Sequence, residues 1–517
     1  MNIWQKHSKA LFYTVCILFV AVLGLFSVHL KLFYDDTFFV FPAVSKDYWH
    51  FGLNYFRDYG LFRPLALAYY FCIYNVYLRF PGVAHLLPLF LQGAVAVMVF
   101  KLLERQLAKA DSLLFALLIF VSPLSVEGYV WFSANVSILV ILLLLMQIYW
   151  LVRFPTVAKY FYWTVALQFL SVFLYESTFF LLVIIDLMWL HAFWTRSKSS
   201  VLSFLKRKGL FLFLLSTVPF GSYLLSKLIL KPNYYNRAKF ITVPEMAGNF
   251  YQALGQFKRL FDAQIWLADL SNGWGLVVKS SLLTGLLAGG VIGLMVYLYS
   301  GQKKQNFTPI NKERRAWMIF GVVAFLAVLI PFLWQSDYWP FRLLYLPSIL
   351  IVMGLALIFS LGREKQAWLS FVRGVLVSLI VVSTLISLSM LDKYRRQFEF
   401  DFAIMEQVSR QTKGLGYWHP LRTNLLLTGV PPSAVQKVMY GDYLHSIFAN
   451  YWSAEAFLDL YMGSISKLAI KTTDGRYVSR YEENYFAALR PQVVMKVTNE
   501  GKVCSEIVCL TVLKVLK

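Results

Sequence analysis

Charge is scarce in this chain, and acid is scarcer than base. Asp, Glu, Lys and Arg make up 15% of its 517 residues, with 27 acids against 49 Lys and Arg. That is too little charge to cover the surface of a soluble protein of this length. Cysteine occurs four times, too rarely to staple a fold of this size. Cys16 and Cys72 lie in apolar segments and read as packing residues. The seven histidines lack the paired spacing that zinc requires. There is no G-x-x-x-x-G-K-S/T run, so ATP-driven transport has no support. Internal repeats and low-complexity tracts are also missing, which removes solenoids and long structureless linkers.

What the chain has instead is apolar length. Hydrophobic residues make up 59% of it and the mean hydropathy is +0.60. Windows of about 20 apolar residues, each long enough to span a bilayer, recur along most of the sequence. The fold class is therefore an α-helical polytopic membrane protein. Membrane helices are predicted at about 10–30, 84–103, 112–130, 135–152, 159–175, 177–194, 209–230, 276–299, 316–335, 342–361 and 369–391, about 11 in all. The first is too long, and too poorly followed by small residues, to be a cleaved signal peptide. Every second connection is basic: Lys101/Arg105/Lys109, Arg153/Lys159, Arg196 to Lys208, Lys303 to Arg315, and Arg363/Lys365. This matches the positive-inside rule, with the N-terminus cytoplasmic. The net charge of +22 then reflects Lys and Arg next to anionic lipid rather than a nucleic-acid partner. The apolar stretch 61–80, interrupted by Arg63-Pro64, is read as part of a first outer loop, 31–83, lying on or dipping into the membrane. Neither discontinuous helices nor symmetric halves are evident.

An odd number of spans leaves the C-terminus outside. The chain then divides into a membrane module, 1–391, and a small extracytoplasmic α/β domain, 392–517. The second part mixes amphipathic helical patterns (Phe398–Val408, Tyr443–Tyr461) with strand-like runs (Asn424–Thr428, Val493–Val497, Glu506–Val515) and a turn at Asn499-Glu500-Gly501. Cys504 and Cys509 fall here, either as a disulfide or as two buried thiols. A second long outer segment, 231–275, is rich in Tyr, Asn, Lys and Arg.

The scarce acids are not scattered. Asp35-Asp36, in KLFYDDTFFVFP, follows the first apolar segment and emerges on the outer face. Adjacent carboxylates at the mouth of a membrane helix repel each other and sit near hydrocarbon, which points to chemistry or binding there. The same loop carries Lys46, Asp47, His50, Asn54, Arg57, Asp58 and Arg63 among interleaved aromatics. A carboxylate in reach of a hydroxyl can act as general base, and arginine suits a phosphate leaving group. Aromatic faces suit sugar rings. The plainer reading is an interfacial loop of Asp–Arg pairs and an aromatic belt. Glu127, in SPLSVEGYVWFSAN, and Glu176, in FLYESTFF, fall on the same face. Each alone is equally well a helix cap or a packing contact; together they make a shared outer cavity the better reading. Asp337 and Arg342 follow in LIPFLWQSDYWPFRLLYLPS, and Arg237, Lys239, Lys258 and Arg259 add positive charge to segment 231–275. An outer Arg342 opposes the positive-inside bias, so it pairs with an anion, either a lipid phosphate or Asp337. Gly285, Gly289 and Gly293 form a small-residue stripe suited to helix packing. Asn135-Val136-Ser137 fits a glycosylation acceptor.

The order of these pieces resembles the GT-C membrane glycosyltransferases, which take a sugar from a polyprenyl-phosphate carrier and build on an acid in the first outer loop. LFRPLALAYYF is similar to the Arg-Pro-Leu segment of the transmembrane O-mannosyltransferases that carry TPR repeats in eukaryotes. SPLSVEGYVWFSANVSILV is similar to their His-Pro-x-x-x-Glu-x-x-x-Trp stretch, YEST to their Lys-Glu turn, and FRLLYLPS to their Arg-Tyr-Leu-Tyr-Leu-Pro-Ser run. The resemblance covers roughly residues 20–360. Ser122 stands where the family has His, Tyr175 where it has Lys, and no TPR array follows.

The resemblance implies an inverting, single-displacement transfer of a hexose or pentose from a polyprenyl-phosphate sugar to an extracytoplasmic glycan, lipid or protein hydroxyl. Asp36 or Asp35 would be the base. Arg63 and Arg342, with Arg237 or Lys239, would hold the donor phosphate. Glu127, Arg57, Trp131 and Tyr345 would bind substrate, and Glu176 is read as structural. No cofactor is required, although a divalent ion between the acids is compatible with the chemistry. The expected setting is the bacterial inner membrane. The alternatives are a lipid or lipid-linked sugar transporter, and a scaffold whose C-terminal domain binds a partner.

Overall fold

The computed structural model of the chain describes residues 3–28, 63–104, 106–153, 158–175, 263–301, 341–361, 366–414, 424–430, 467–472, 493–497 and 503–505, with single positions and short pieces among 30–53, 181–186 and 221–251. The described residues are almost entirely helical. In order they form α1 (Ile3–Ser27), α2 (Pro64–Arg79), α3 (Pro81–Leu103), α4 (Lys109–Phe120), α5 (Val126–Val130), α6 (Asn135–Arg153), α7 (Ala158–Leu174), α8 (Ala263–Lys279), α9 (Ser281–Gly301), α10 (Phe341–Leu361) and α11 (Gln366–Gly414). Among the described residues four stretches are long and apolar enough to cross a bilayer: Ala10–Ser27, Pro81–Leu103, Ser281–Tyr299 and Ala367–Gln411. These four make the chain a helical membrane protein. The predicted spans at 209–230 and 316–335, and most of 177–194, lie outside the described residues.

Local chemistry explains the helix boundaries. Pro64 and Pro81 open α2 and α3, where a missing N–H leaves no helical bond unmade. At 16 residues α2 is too short to span, and it buries one face, Ala66, Leu67, Tyr70, Ile73, Tyr74 and Tyr77. The predicted span 276–299 begins differently. Two helices meet at Ser280, whose Oγ accepts the Leu283 N–H at 3.3 Å and caps α9. Of the predicted glycine stripe, Gly289 and Gly293 lie against α1, where an added Cβ would come within 3.6 Å of Leu18 and 3.1 Å of Val15; Gly285 touches nothing within 4 Å.

The predicted span 112–130 is not one helix. Its two parts, Lys109–Phe120 and Pro123–Val130, are bent by 46°. Pro123 is the cause. The residue before a proline is driven out of the α region, and Ser122 sits at φ −59°, ψ 127°.

The core is built on α11. Its 49 residues reach about 74 Å, more than twice the hydrocarbon thickness. It runs without a break through position 391, and the predicted amphipathic stretch Phe398–Val408 is part of it. Buried Arg373 on α11 meets buried Asp111 on α4 at 2.7 Å. Further along, Lys393 lies 2.6 Å from Asp269 on α8, and Ser389 donates to the same carboxylate at 2.6 Å while accepting from Asn272 at 3.0 Å. Between these contacts α8 and α11 touch. A Cβ on Gly273 would fall 2.0 Å from the Leu385 carbonyl oxygen.

Four strands form one sheet in the order β2-β1-β3-β4: β1 (Asn424–Val430), β2 (Lys467–Thr472), β3 (Val493–Val497) and β4 (Val503–Ser505). β1 is parallel to β2 and to β3, with Leu426 opposite Ala469 on one side and Val494 on the other. β3 and β4 are antiparallel. Two predicted strands match β1 and β3. β2 was not predicted, and Glu506–Val515, the Asn499–Gly501 turn and Cys509 lie outside the described residues.

Candidate functional site

The break between α4 and α6 sets the geometry. After Phe120 the chain makes a 3-10 turn at Pro123–Ser125, the five-residue α5, an extended Trp131 (φ −102°, ψ 109°) and a second 3-10 turn at Phe132–Ala134. Glu127 lies on α5 and is 5% exposed; Trp131 is 7% exposed. The Trp131 N–H donates to the Glu127 carbonyl at 3.0 Å, closing the short helix. Gly128 lets α5 press against α6, since a Cβ there would stand 2.9 Å from the Ile138 side chain. A charged side chain is thus held inside an irregular passage between two apolar helices. Irregular backbone at membrane depth persists only where protein or a cavity surrounds it.

Carbonyls at the break are met from elsewhere, the Ile119 oxygen in addition to the Ser122 N–H that reaches it at 3.3 Å. Gln92 on α3 donates from Nε2 to the Ile119 oxygen at 3.0 Å, to the Phe120 oxygen at 3.4 Å, and to the Tyr345 hydroxyl. Ser387 on α11 donates to the Val121 oxygen at 2.8 Å. The Ser125 hydroxyl and N–H both close onto the Ser122 oxygen, at 2.7 and 3.0 Å.

Aromatic rings pack against the same passage. His85 stacks on Phe132 with centroids 4.4 Å apart, and Tyr77 stands edge-on to both at 5.9 and 5.6 Å. Tyr74 meets Phe132 edge-on at 5.7 Å. At the start of α2 the Arg63 guanidinium lies 4.3 Å from the centre of the Tyr175 ring, just after α7.

Four separate stretches of sequence are therefore linked. Arg63 joins LFRPLALAYYF to Tyr175, and Tyr74 and Tyr77, further along α2, meet Phe132 of SPLSVEGYVWFSAN. Tyr345 brings FRLLYLPS to the break through Gln92. Asp35, Asp36, Arg57, Arg237, Lys239 and Glu176 lie outside the described residues. Arg342 is the second residue of α10. Tyr345 is 1% exposed and accepts the Gln92 hydrogen bond, so its hydroxyl ties helices together instead of standing open to a ligand. Asn135 is fully buried at the start of α6, which closes it to glycosylation in this fold. Sequence reasoning missed Gln92, His85 and Ser387. Gln92 did leave a signal, as the one amide in the apolar run LLPLFLQGAVAVMVF.

A carboxylate suits hydrogen bonds from hydroxyls and a guanidinium suits an anion, and the fold keeps one of each, Glu127 and Arg63, on elements that adjoin the aromatic cluster of Tyr74, Tyr77, His85 and Phe132. Among the described residues no three His, Cys, Asp or Glu side chains group as metal ligands. No protein-family model and no curated protein sequence matches the chain.

Proposed function

We propose that the chain is a membrane glycosyltransferase that moves a hexose or pentose from a polyprenyl-phosphate carrier to an extracytoplasmic hydroxyl. One observation supports the reading: segments far apart in sequence, each similar to a GT-C motif, come into contact, Arg63 over the Tyr175 ring and Tyr345, through Gln92, at the break that precedes buried Glu127. In this reading Asp36 or Asp35 takes the proton from the acceptor hydroxyl as its oxygen attacks the anomeric carbon. The bond to phosphate breaks as the new glycosidic bond forms, with inversion. Arg63 and Arg342, with Arg237 or Lys239, stabilise the departing lipid phosphate. Glu127, Trp131 and Arg57 hold substrate hydroxyls. The C-terminal part, outside the cytoplasm, covers the cavity. Fixed cations neutralise the leaving group, so no metal is required.

The 46° break favours a second reading, because transporters of lipids or lipid-linked sugars build their sites at discontinuous helices. One reconstitution separates the two. Purified protein in liposomes with a labelled polyprenyl-phosphate sugar and cell-envelope acceptors should yield labelled acceptor. If the label only changes leaflet and the sugar never leaves its carrier, the transporter replaces the transferase.

A further inference from the structure

We propose that Gln92 and Ser387 are positioning residues that hold the break after α4 at the angle that presents Glu127, and that Tyr345 belongs to the same clasp. Three consecutive carbonyls, of Ile119, Phe120 and Val121, face donors from distant side chains: the two hydrogens of Gln92 Nε2 are shared among the Ile119 and Phe120 oxygens and the Tyr345 hydroxyl, and Ser387 donates to Val121. Ile119, Phe120 and Val121 are buried, so water does not replace these donors and the helix end takes partners from the protein. The partners come from two different helices. Gln92 is 27 residues before Ile119, and Ser387 is 266 residues after Val121. Both side chains are fully buried. Neither is needed by its own helix, and each spends its donor on the break.

The geometry makes this a lever as well as a patch. Ser125 closes onto Ser122 through both its hydroxyl and its N–H, so the turn between Val121 and α5 is rigid. Gly128 is pressed against Ile138, which fixes the far side. A change of angle at Val121 therefore carries Glu127 with it. The same Gln92 amide reaches Tyr345, so α10 shares the constraint. Displacing a substrate-holding group by about 1 Å can slow chemistry by about a hundredfold.

The kinetic half of the test rests on the transferase reading; a second measurement does not. Full-length wild type, Ser387→Ala, Ser387→Thr and Gln92→Met are compared for sugar transfer and for backbone hydrogen exchange across 119–134. Ser387→Ala and Gln92→Met should lower kcat about ten- to a hundredfold with the donor KM unchanged. Both should also speed exchange at 122–131 while leaving 93–103 and 369–384 as in wild type. Ser387→Thr, which keeps the hydroxyl, should restore both readouts. Wild-type kcat and exchange in Ser387→Ala and Gln92→Met would overturn the clasp, as would a threonine variant as impaired as alanine. If Gln92→Met does not fold, the alanine–threonine pair at 387 decides alone. If wild type transfers no sugar from any donor of this class, the transferase reading fails, and exchange at 122–131 still decides the clasp.

Discussion

Glu127 and Arg63 make different demands on their surroundings, and substitutions at each should report this. Removing a hydrogen bond to a charged group is worth about 1.5–3 kcal/mol. Glu127→Ala should therefore cost about ten- to a hundredfold in transfer, with Glu127→Gln in between, and both should keep the wild-type melting temperature within a few degrees. The cation–π contact of Arg63 with Tyr175 contributes about 0.5–2 kcal/mol, so Tyr175→Leu should weaken donor binding measurably, read as a rise in KM. At this scale polarity against an apolar background draws attention to Arg63 and Glu127 in the sequence, and the structure finds Arg63 over Tyr175 and Glu127 buried. Tyr345 was legible as a residue of interest but not in its role. Its partner Gln92 lies 253 residues away, and a hydrogen bond over that separation leaves no local pattern in sequence.

Among the elements, the ion pairs that lock α11 to its neighbours decide whether the bundle forms. Arg373 is 4% exposed and Asp111 fully buried, so losing one partner leaves an uncompensated charge in a dry interior. Asp111→Ala should cost about 3–5 kcal/mol, seen as a lowered thermal midpoint in detergent. Replacing both residues, Asp111→Leu with Arg373→Met, should recover most of that loss. Gly273→Val should separate α8 from α11, because no side chain fits 2.0 Å from the Leu385 carbonyl. Hydropathy located α3, α6, α7 and the apolar part of α1, Ala10–Ser27, well, since each is dominated by apolar residues; the polar first turns of α1 fell outside the predicted segment. It failed for α8, whose Asp269, Ser271 and Asn272 read as loop; the polar face instead packs on Ser389 and Lys393. It also ran through Pro123, because the apolar content continues across the bend.

For the whole molecule, the alternation of basic loops predicts a cytoplasmic N-terminus and an outer C-terminus. A cysteine added after Lys517, in a chain with the native cysteines replaced, should react with a membrane-impermeant maleimide in intact cells, and one added before Met1 should not. The reverse pattern would invert the proposed site's side of the membrane. Strand β4 lies against α11, so the long helix links the membrane region to the sheet. The sheet was half legible, because β1 and β3 each carry a run of three apolar residues, Leu425–Leu427 and Val493–Met495, of the kind found in parallel interiors. β2, with a lysine at each side of its apolar centre, was not. The central claim remains the transfer step at Asp35-Asp36. Its most direct test is the rate of sugar transfer from a labelled polyprenyl-phosphate sugar by purified wild type, Asp35→Asn and Asp36→Asn. The account predicts that wild type transfers and that at least one variant, still folded, loses about 10²–10⁴-fold. Two folded variants that both transfer at the wild-type rate would contradict it.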